Sequence, residues 1–224
     1  MGKKRNLTGI TKEELDVIDT ALKNNYSTNK NAGTGNLFGY KIDLKCKNEK
    51  QKLQYKTIKE KEITLIAGSA GTGKSYIGFA TALELLKDPE NRYKELLIVV
   101  PTIQSDIELG FLKGSLEEKI APFTDAHTYT MSKIIGKNAV DKLLSSKKIL
   151  FNVVSFMRGK TIDNTIVIIE EAQNLPKSAM KTLLTRIGEN SKYIISGDYE
   201  QCDNKEIKKG KEDNGLKYVI NKLP

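Results

Sequence analysis

An eight-residue segment about a third of the way along the chain constrains the fold more than any other feature. It reads Gly68, Ser69, Ala70, Gly71, Thr72, Gly73, Lys74, Ser75, which is the pattern G-x-x-x-x-G-K-[ST]. An apolar run typical of a strand, residues 63–67, precedes it, and a segment with helical spacing, residues 76–86, follows it. Strand, glycine-rich turn and helix therefore occur in the order that a phosphate-binding loop requires.

A turn of this kind directs backbone N–H groups at an anion, and the helix dipole favours negative charge at the same place. We therefore predict a nucleoside triphosphate site formed by the loop, residues 68–75, and Tyr76. Lys74 would reach the β and γ phosphates, and Ser75 would hold Mg²⁺. The alternative is a glycine-rich connector without a ligand, and the flanking strand and helix favour the nucleotide.

Composition and length are those of one soluble, intracellular domain with a short appendage. The chain has 224 residues and no apolar run near the roughly 20 residues that cross a bilayer. Its first residues lack the apolar stretch of a signal peptide, so we expect a cytoplasmic protein without membrane contact. Cys46 and Cys202 stand apart without a metal-binding spacing, and the single His127 argues against a histidine-based metal site.

The net charge of +9 is unevenly distributed along the chain. Residues 1–61 hold 14 basic and 7 acidic residues, so this quarter carries most of the surplus. A nucleic-acid partner would select such an asymmetry, because each lysine that neutralises a phosphate releases a counterion. A lysine-rich solvated surface would show the same pattern, and charge alone does not separate the two.

Strand and helix patterns alternate beyond the loop, as a parallel sheet with crossover helices requires. With the strand before the loop, the candidates make five: 63–67, 96–100, 149–154, 165–169 and 193–196. Candidate helices cover 11–23, 47–59, 76–86, 116–121, 131–144, 177–187 and 216–223. The predicted fold is α/β, a three-layer, RecA-like P-loop NTPase sandwich with a mainly parallel five-stranded sheet. We assign 1–46 to a basic extension with a small helix and linker, 47–203 to the ATPase-type domain and 204–224 to a charged tail.

Two carboxylates follow the most apolar of these strands. Residues 165–169 read Thr-Ile-Val-Ile-Ile, and Glu170 and Glu171 come where the strand emerges at its carboxyl end. Ligands bind at this end of the strands in open α/β sheets. We predict that Glu170 holds Mg²⁺ and that Glu171 orients the attacking water. The alternative is a solvated turn that begins with two glutamates.

The next predicted strand ends in Gly197, Asp198, Tyr199, Glu200 and Gln201. A glutamine a few residues past a neighbouring strand reaches the γ phosphate in other nucleotide sites, where it orients water. We predict this role for Gln201. The alternative is a Gly-Asp turn with the glutamine on the surface.

Five blocks together resemble the PhoH-like ATPases. In chain order they are similar to that family's G-P-A-G-T-G-K-T, L-G-F-L-P-G, Y-M-R-G-R-T, D-E-A-Q-N and L-T-R-I-G. The blocks in this chain are residues 68–75, 109–114, 156–161, 170–174 and 183–188. The resemblance implies one RecA-like motor domain that hydrolyses ATP, often in connection with RNA, in the short form found among phage-encoded members.

The resemblance adds three further residues to the site. Gln51 looks like the glutamine that precedes the loop in the family and would read the adenine edge of ATP. Arg158 and Arg186 stand in family blocks, and either would stabilise charge on the γ phosphate of a neighbouring subunit. That role implies a homo-oligomer, with a hexameric ring favoured.

The chain also departs from the family pattern at three positions. The arginine of the family's T-R-P is absent beside Pro101, Glu170 replaces the usual aspartate, and Lys113 replaces a proline. The nucleic-acid or subunit contacts of that arginine are therefore not expected in this chain.

The function predicted from these residues is Mg²⁺-dependent ATP hydrolysis coupled to RNA or single-stranded nucleic acid, including helicase-like remodelling. The alternative is a nucleic-acid-binding module that ATP switches with negligible turnover. A small-molecule kinase is disfavoured, because such enzymes use an arginine-rich lid and this chain has four arginines.

Overall fold

Five apolar runs of the sequence form one parallel sheet. A computed structural model describes residues 37–101, 116–157, 159 and 161–222. The strands of that part are β1 (Ile63–Ala67), β2 (Glu95–Val100), β3 (Ile149–Val153), β4 (Thr165–Ile169) and β5 (Lys192–Gly197). Their spatial order is β1-β5-β4-β2-β3, and each neighbouring pair is parallel.

The register brings the carboxyl ends of three strands together. Ala67 at the end of β1 lies opposite Gly197 at the end of β5, and Ile169 at the end of β4 lies opposite Ile195. β5 therefore separates the strand that leads into the phosphate loop from the strand that leads into the glutamate pair.

Helices cover the sheet. They are α1 (Glu49–Glu60), α2 (Lys74–Lys87), α3 (Leu116–Ile135), α4 (Lys137–Ser145), α5 (Lys177–Leu184), α6 (Lys205–Lys208) and α7 (Gly215–Ile220). Short 3-10 helices occur at Pro89–Asn91, Val154–Met157 and Ala172–Asn174. Among the described residues, none of these helices combines the length and the apolar character needed to span a membrane.

Alternate residues of the strands pack into two separate cores. On β4, Ile166 and Ile168 belong to a cluster with α1, α2, α3 and α4, whereas Val167 and Ile169 belong to a cluster with α5 and α7. A strand that is buried on both faces needs a continuous apolar run, as the sequence of β4 has. The three-layer α/β P-loop NTPase sandwich with five strands is thus confirmed.

Two helix boundaries differ from the prediction. The helix expected over residues 116–121 continues through Pro122 to Ile135, because α3 packs against α2 and β2 and this packing outweighs one missing N–H. The segment expected over 131–144 is divided at Gly136. The backbone of Gly136 has φ 85°, a left-handed conformation that glycine adopts most readily.

A third boundary differs at the end of α5, which stops at Leu184 rather than at residue 187. The backbone N–H of Ile162 donates to the carbonyl of Arg186, and Gly188 donates to the carbonyl of Ile162. Residues 186–188 therefore pair with the segment before β4 instead of continuing the helix.

Packing extends beyond residues 47–203 at both ends. Tyr40 and Leu44 are buried in the first cluster, and Leu216 and Val219 of α7 are buried in the second. Residues 40–44 and 215–220 are therefore part of the packed unit. The helix predicted over 11–23 lies outside the described residues, and the one predicted over 216–223 corresponds to α7.

The single histidine gives a measurable pH dependence. His127 lies between Phe79 and Phe151, with ring centroids 5.5 and 6.4 Å away, and burial lowers its pKa from 6.5 to about 4. Between these values the unfolded chain binds more protons than the folded one, so stability falls as the pH falls. We expect the free energy of unfolding in urea to decrease by about 2 kcal/mol from pH 7 to pH 5 because of this residue.

The matched control is His127→Phe, which keeps a planar ring and removes the proton-binding group. Its unfolding free energy should change less between the same two pH values. An equal change in both proteins would show that His127 is not the responsible group.

Candidate nucleotide site

The phosphate loop adopts a conformation that depends on its glycines. Gly71 and Gly73 have φ values of 75° and 86°, and Gly73 precedes the first residue of α2. Within the part of the chain that the structure describes, no side chain caps this helix start, so its backbone N–H groups remain directed at the loop. The Lys74 ammonium donates to the carbonyls of Gly68 and Ser69 at 2.7 and 2.8 Å. The lysine thus lies across the loop, where phosphates bind in such sites.

Glu170 lies directly beside Ser75, as predicted for a shared Mg²⁺ site. The Ser75 hydroxyl donates to Glu170 Oε2 at 2.5 Å, and the Ser196 hydroxyl donates to Oε1 at 2.7 Å. The carboxylate is only 3% exposed. Burial raises the pKa of Glu170, and the hydrogen bonds from Ser75 and Ser196 oppose that rise. Sequence reasoning missed Ser196, although a serine near the end of an otherwise apolar strand was a usable signal.

These oxygen ligands fit Mg²⁺. The described part of the chain has no cluster of three His, Cys, Asp or Glu side chains that would form a complete protein cage. Mg²⁺ commonly binds one or two protein oxygens and takes the remaining ligands from phosphates and water. Ser75 and Glu170 supply such a partial set at the start of α2.

Glu171 lies on the solvent side of the same turn. It is exposed, has φ 51° and accepts a hydrogen bond from the Gln173 side chain. Gln173 is 1% exposed, and its oxygen accepts the backbone N–H of Asp198 at 3.0 Å. Sequence reasoning gave Gln173 and Asp198 no role, because their contact depends on the order of strands in the sheet.

The segment after β5 lies next to the loop. The Ala70 N–H donates to Asp198 Oδ2 at 3.2 Å, and the Gln201 N–H donates to the Asp198 carbonyl at 3.0 Å. The Gln201 side chain is exposed at this edge of the sheet. Its predicted contact with a γ phosphate stays a prediction.

Two glutamines of α1 attach that helix to the loop. Gln51 accepts the Lys47 N–H at 2.7 Å and donates to the Thr72 carbonyl at 2.9 Å, and Gln54 donates to the Lys74 carbonyl at 2.7 Å. The amide of Gln51 retains one N–H and one lone pair, which an adenine edge can use. Tyr76, in contrast, packs partly buried against the first core cluster.

Arg186 lies at the other end of the sheet, where the strands begin. Its carbonyl pairs with Ile162, which precedes the first residue of β4, whereas Glu170 follows the last. Five residues of strand span about 16 Å, more than an arginine side chain reaches. Arg186 therefore does not belong to the nucleotide site of its own chain. Arg158 lies outside the described residues.

A protein-family model described as PhoH-like protein matches residues 43–224. The chain belongs to this family. The resemblance drawn from the five sequence blocks is thereby confirmed, and the matched region contains the loop, the glutamate pair, Gln51 and Gln201.

Individual relatives of the PhoH-like chain agree with this assignment. Protein PhoH of Escherichia coli (strain K12) is 36% identical over 162 residues, which cover 70% of this chain and 45% of the relative. A PhoH-like protein of Bacillus subtilis (strain 168) is 32% identical over 170 residues, which cover 76% and 52%. The chain spans about half the length of the curated relatives that it matches.

One solved structure similar to the PhoH-like chain is the Sulfolobus solfataricus SWI2/SNF2 ATPase core in complex with dsDNA. It is 15% identical, with a TM-score of 0.45, and the match covers 70% of this chain and 33% of that one.

The position of Gln51 predicts a change in nucleotide preference. In Gln51→Leu we expect affinity for ATP to fall about ten-fold more than affinity for GTP, because the two hydrogen bonds that Gln51 is predicted to make with adenine would be lost. Equilibrium binding of both nucleotides measures this. Gln54→Leu is the control. The Gln54 amide bonds the loop backbone, so its loss should lower the affinities for ATP and GTP by the same factor. If Gln51→Leu lost affinity for ATP and GTP equally, the role of Gln51 would be limited to its hydrogen bond with the loop backbone.

Proposed function

We propose that this PhoH-like chain is a Mg²⁺-dependent ATPase. The observation that carries the proposal is the hydrogen bond between Ser75 and buried Glu170, beside Lys74 at the start of α2. This arrangement unites a phosphate loop with a carboxylate for a hydrated cation. A loop that only connected a strand to a helix would not require a buried carboxylate at its serine.

Each residue of the site has a distinct role in the proposed reaction. Lys74 neutralises charge on the β and γ phosphates, while Ser75 and Glu170 hold the Mg²⁺, which draws electron density from the phosphate oxygens when bound. Glu171, which is exposed beside Glu170, orients the attacking water. Gln201 lies in the neighbouring turn and contacts the γ phosphate.

The position of Arg186 supports action between subunits. It lies at the end of the sheet opposite its own loop, and its buried Nε atom has no hydrogen-bond partner among the residues that the structure describes. In an oligomer in which the Arg186 end of one sheet contacts the loop end of the next, Arg186 of one subunit stabilises charge on the nucleotide of its neighbour. We propose a closed ring, with a hexamer favoured, because in a ring every site receives an arginine from a neighbouring subunit.

The proposed partner is RNA or single-stranded nucleic acid. Support comes from the surplus of basic residues in the first quarter of the chain. Turnover measured with and without single-stranded RNA tests the coupling. Stimulation supports a motor, whereas nucleotide-dependent RNA binding without turnover supports the switch.

Replacement of Lys74 tests the site. In Lys74→Ala we expect phosphate release from ATP and Mg²⁺ to fall roughly 100-fold or more, because charge on the γ phosphate is no longer neutralised. The thermal midpoint should stay close to the wild-type value, since the hydrogen bonds of this ammonium to the described residues are with the carbonyls of the loop. Lys87→Ala, the same change at the other end of α2, should keep the activity. Full activity in Lys74→Ala would refute the assignment.

Mixing two inactive variants tests the role of Arg186. Arg186→Ala retains an intact loop and Lys74→Ala retains the arginine, so a mixed oligomer contains some complete sites. We expect each variant alone to be nearly inactive, and an equimolar mixture to recover about a quarter of the wild-type rate under random assembly. Native mass spectrometry verifies that mixed oligomers form. Mixed oligomers without recovered activity would contradict action in trans.

A further inference from the structure

The tip of β5 and the phosphate loop are joined by two hydrogen bonds. The Gly68 N–H donates to the Gly197 carbonyl at 3.2 Å, and the Ala70 N–H donates to Asp198 Oδ2, also at 3.2 Å. Asp198 is 7% exposed, and its other oxygen accepts the Glu200 N–H at 3.0 Å. A carboxylate thus already occupies the acceptor position of one loop N–H.

Asp198 is also connected to Glu171 through one side chain. Its backbone N–H donates to Gln173 Oε1 at 3.0 Å, and Gln173 Nε2 donates to Glu171 Oε2. A Cβ atom at position 197 would lie 2.5 Å from Gln173 Oε1, so the glycine there permits this close approach. The amide of Gln173 is therefore fixed at both ends.

The conformation of Glu171 depends on this connection. Its φ of 51° is left-handed, which is unfavourable for a residue with a Cβ atom. The side chain is exposed, and the hydrogen bond from buried Gln173 holds it in place. A shift of Gln173 would release Glu171 from its present position.

We propose that Asp198 is a positioning residue that reports to Glu171 whether the loop holds a nucleotide. The inference rests on the proposed function. An incoming phosphate carries the same sign of charge as Asp198 and binds the same loop N–H groups, so it displaces the carboxylate. The backbone of Asp198 then moves Gln173, and Gln173 releases Glu171. The water-orienting carboxylate thereby becomes available once the loop is filled.

Removal of the negative charge of Asp198 tests whether its carboxylate competes with phosphate for the loop N–H groups. Asp198→Asn lacks the negative charge and has a single carbonyl oxygen, so it can accept from Ala70 or from Glu200 but not from both. We expect a fluorescent ADP and a non-hydrolysable ATP analogue to bind at least about five-fold more tightly than to the wild type. Asp203→Asn, the same change at an exposed carboxylate five residues away, is the control and should leave the affinity unchanged.

Equal affinity in wild type and Asp198→Asn would overturn the inference alone. Absence of nucleotide binding by the wild-type chain would instead overturn the proposed function, and the inference with it.

Hydrogen exchange tests the connection to Glu171. In the wild type we expect bound nucleotide to change exchange rates of the amides of residues 171–175 as well as those of the loop. In Gln173→Met, nucleotide should still change the loop but no longer residues 171–175, and kcat should fall with little change in KM. Gln173→Glu, which is nearly isosteric and repels Glu171, should exchange faster at residues 171–175 even without nucleotide. The same nucleotide effect on residues 171–175 in all three proteins would overturn the proposal.

Discussion

The side chain of Glu170 crosses from one strand of the sheet to the helix after the phosphate loop, and the geometry of the site depends on that crossing. β5 lies between β4 and β1, so a carboxylate at the end of β4 must pass over β5 to reach Ser75. Ser196 on β5 donates to it on the way. A buried carboxylate without such partners would be strongly destabilising. The extra methylene of glutamate over aspartate adds to the reach.

The inner strands β2 and β4 were predictable because they are buried on both faces and therefore have continuous apolar sequences. The edge strands β1 and β3 are only partly buried and were located by their shorter apolar runs. Each observed strand lies within one residue of its predicted bounds. Helix ends were less predictable, since α3 continues through Pro122 only because of its packing on α2 and β2. Local sequence does not contain that tertiary contact.

The residues of the candidate site also fall into two groups, those that the sequence located and those that it did not. Lys74, Ser75 and Glu170 belong to patterns whose spacing indicates their chemistry, so the sequence located them. Ser196 and Asp198 act on residues that are distant in sequence, and their roles follow from the position of β5 between β4 and β1. That order emerges only when the chain is folded.

The family match and the basic surplus overlap in part. The PhoH-like match begins at residue 43 and includes the whole candidate site. Of the 14 basic residues in 1–61, seven precede residue 43 and seven lie inside the match. The candidate nucleotide site therefore lies in the shared region, whereas the proposed contact with nucleic acid draws on both parts of the chain.

All five strands run in the same direction, so the sheet has two unlike ends. The loop lies at one end and Arg186 at the other. A dimer with two-fold symmetry pairs identical surfaces and cannot place Arg186 of each subunit at the loop of its partner unless both ends share one surface. Contacts between unlike ends run in one direction from subunit to subunit. The assembly closes into a ring when the rotation between subunits divides a full circle, and otherwise it continues as a filament. Whether such an assembly has a fixed size is thus decided by a single angle between neighbouring subunits.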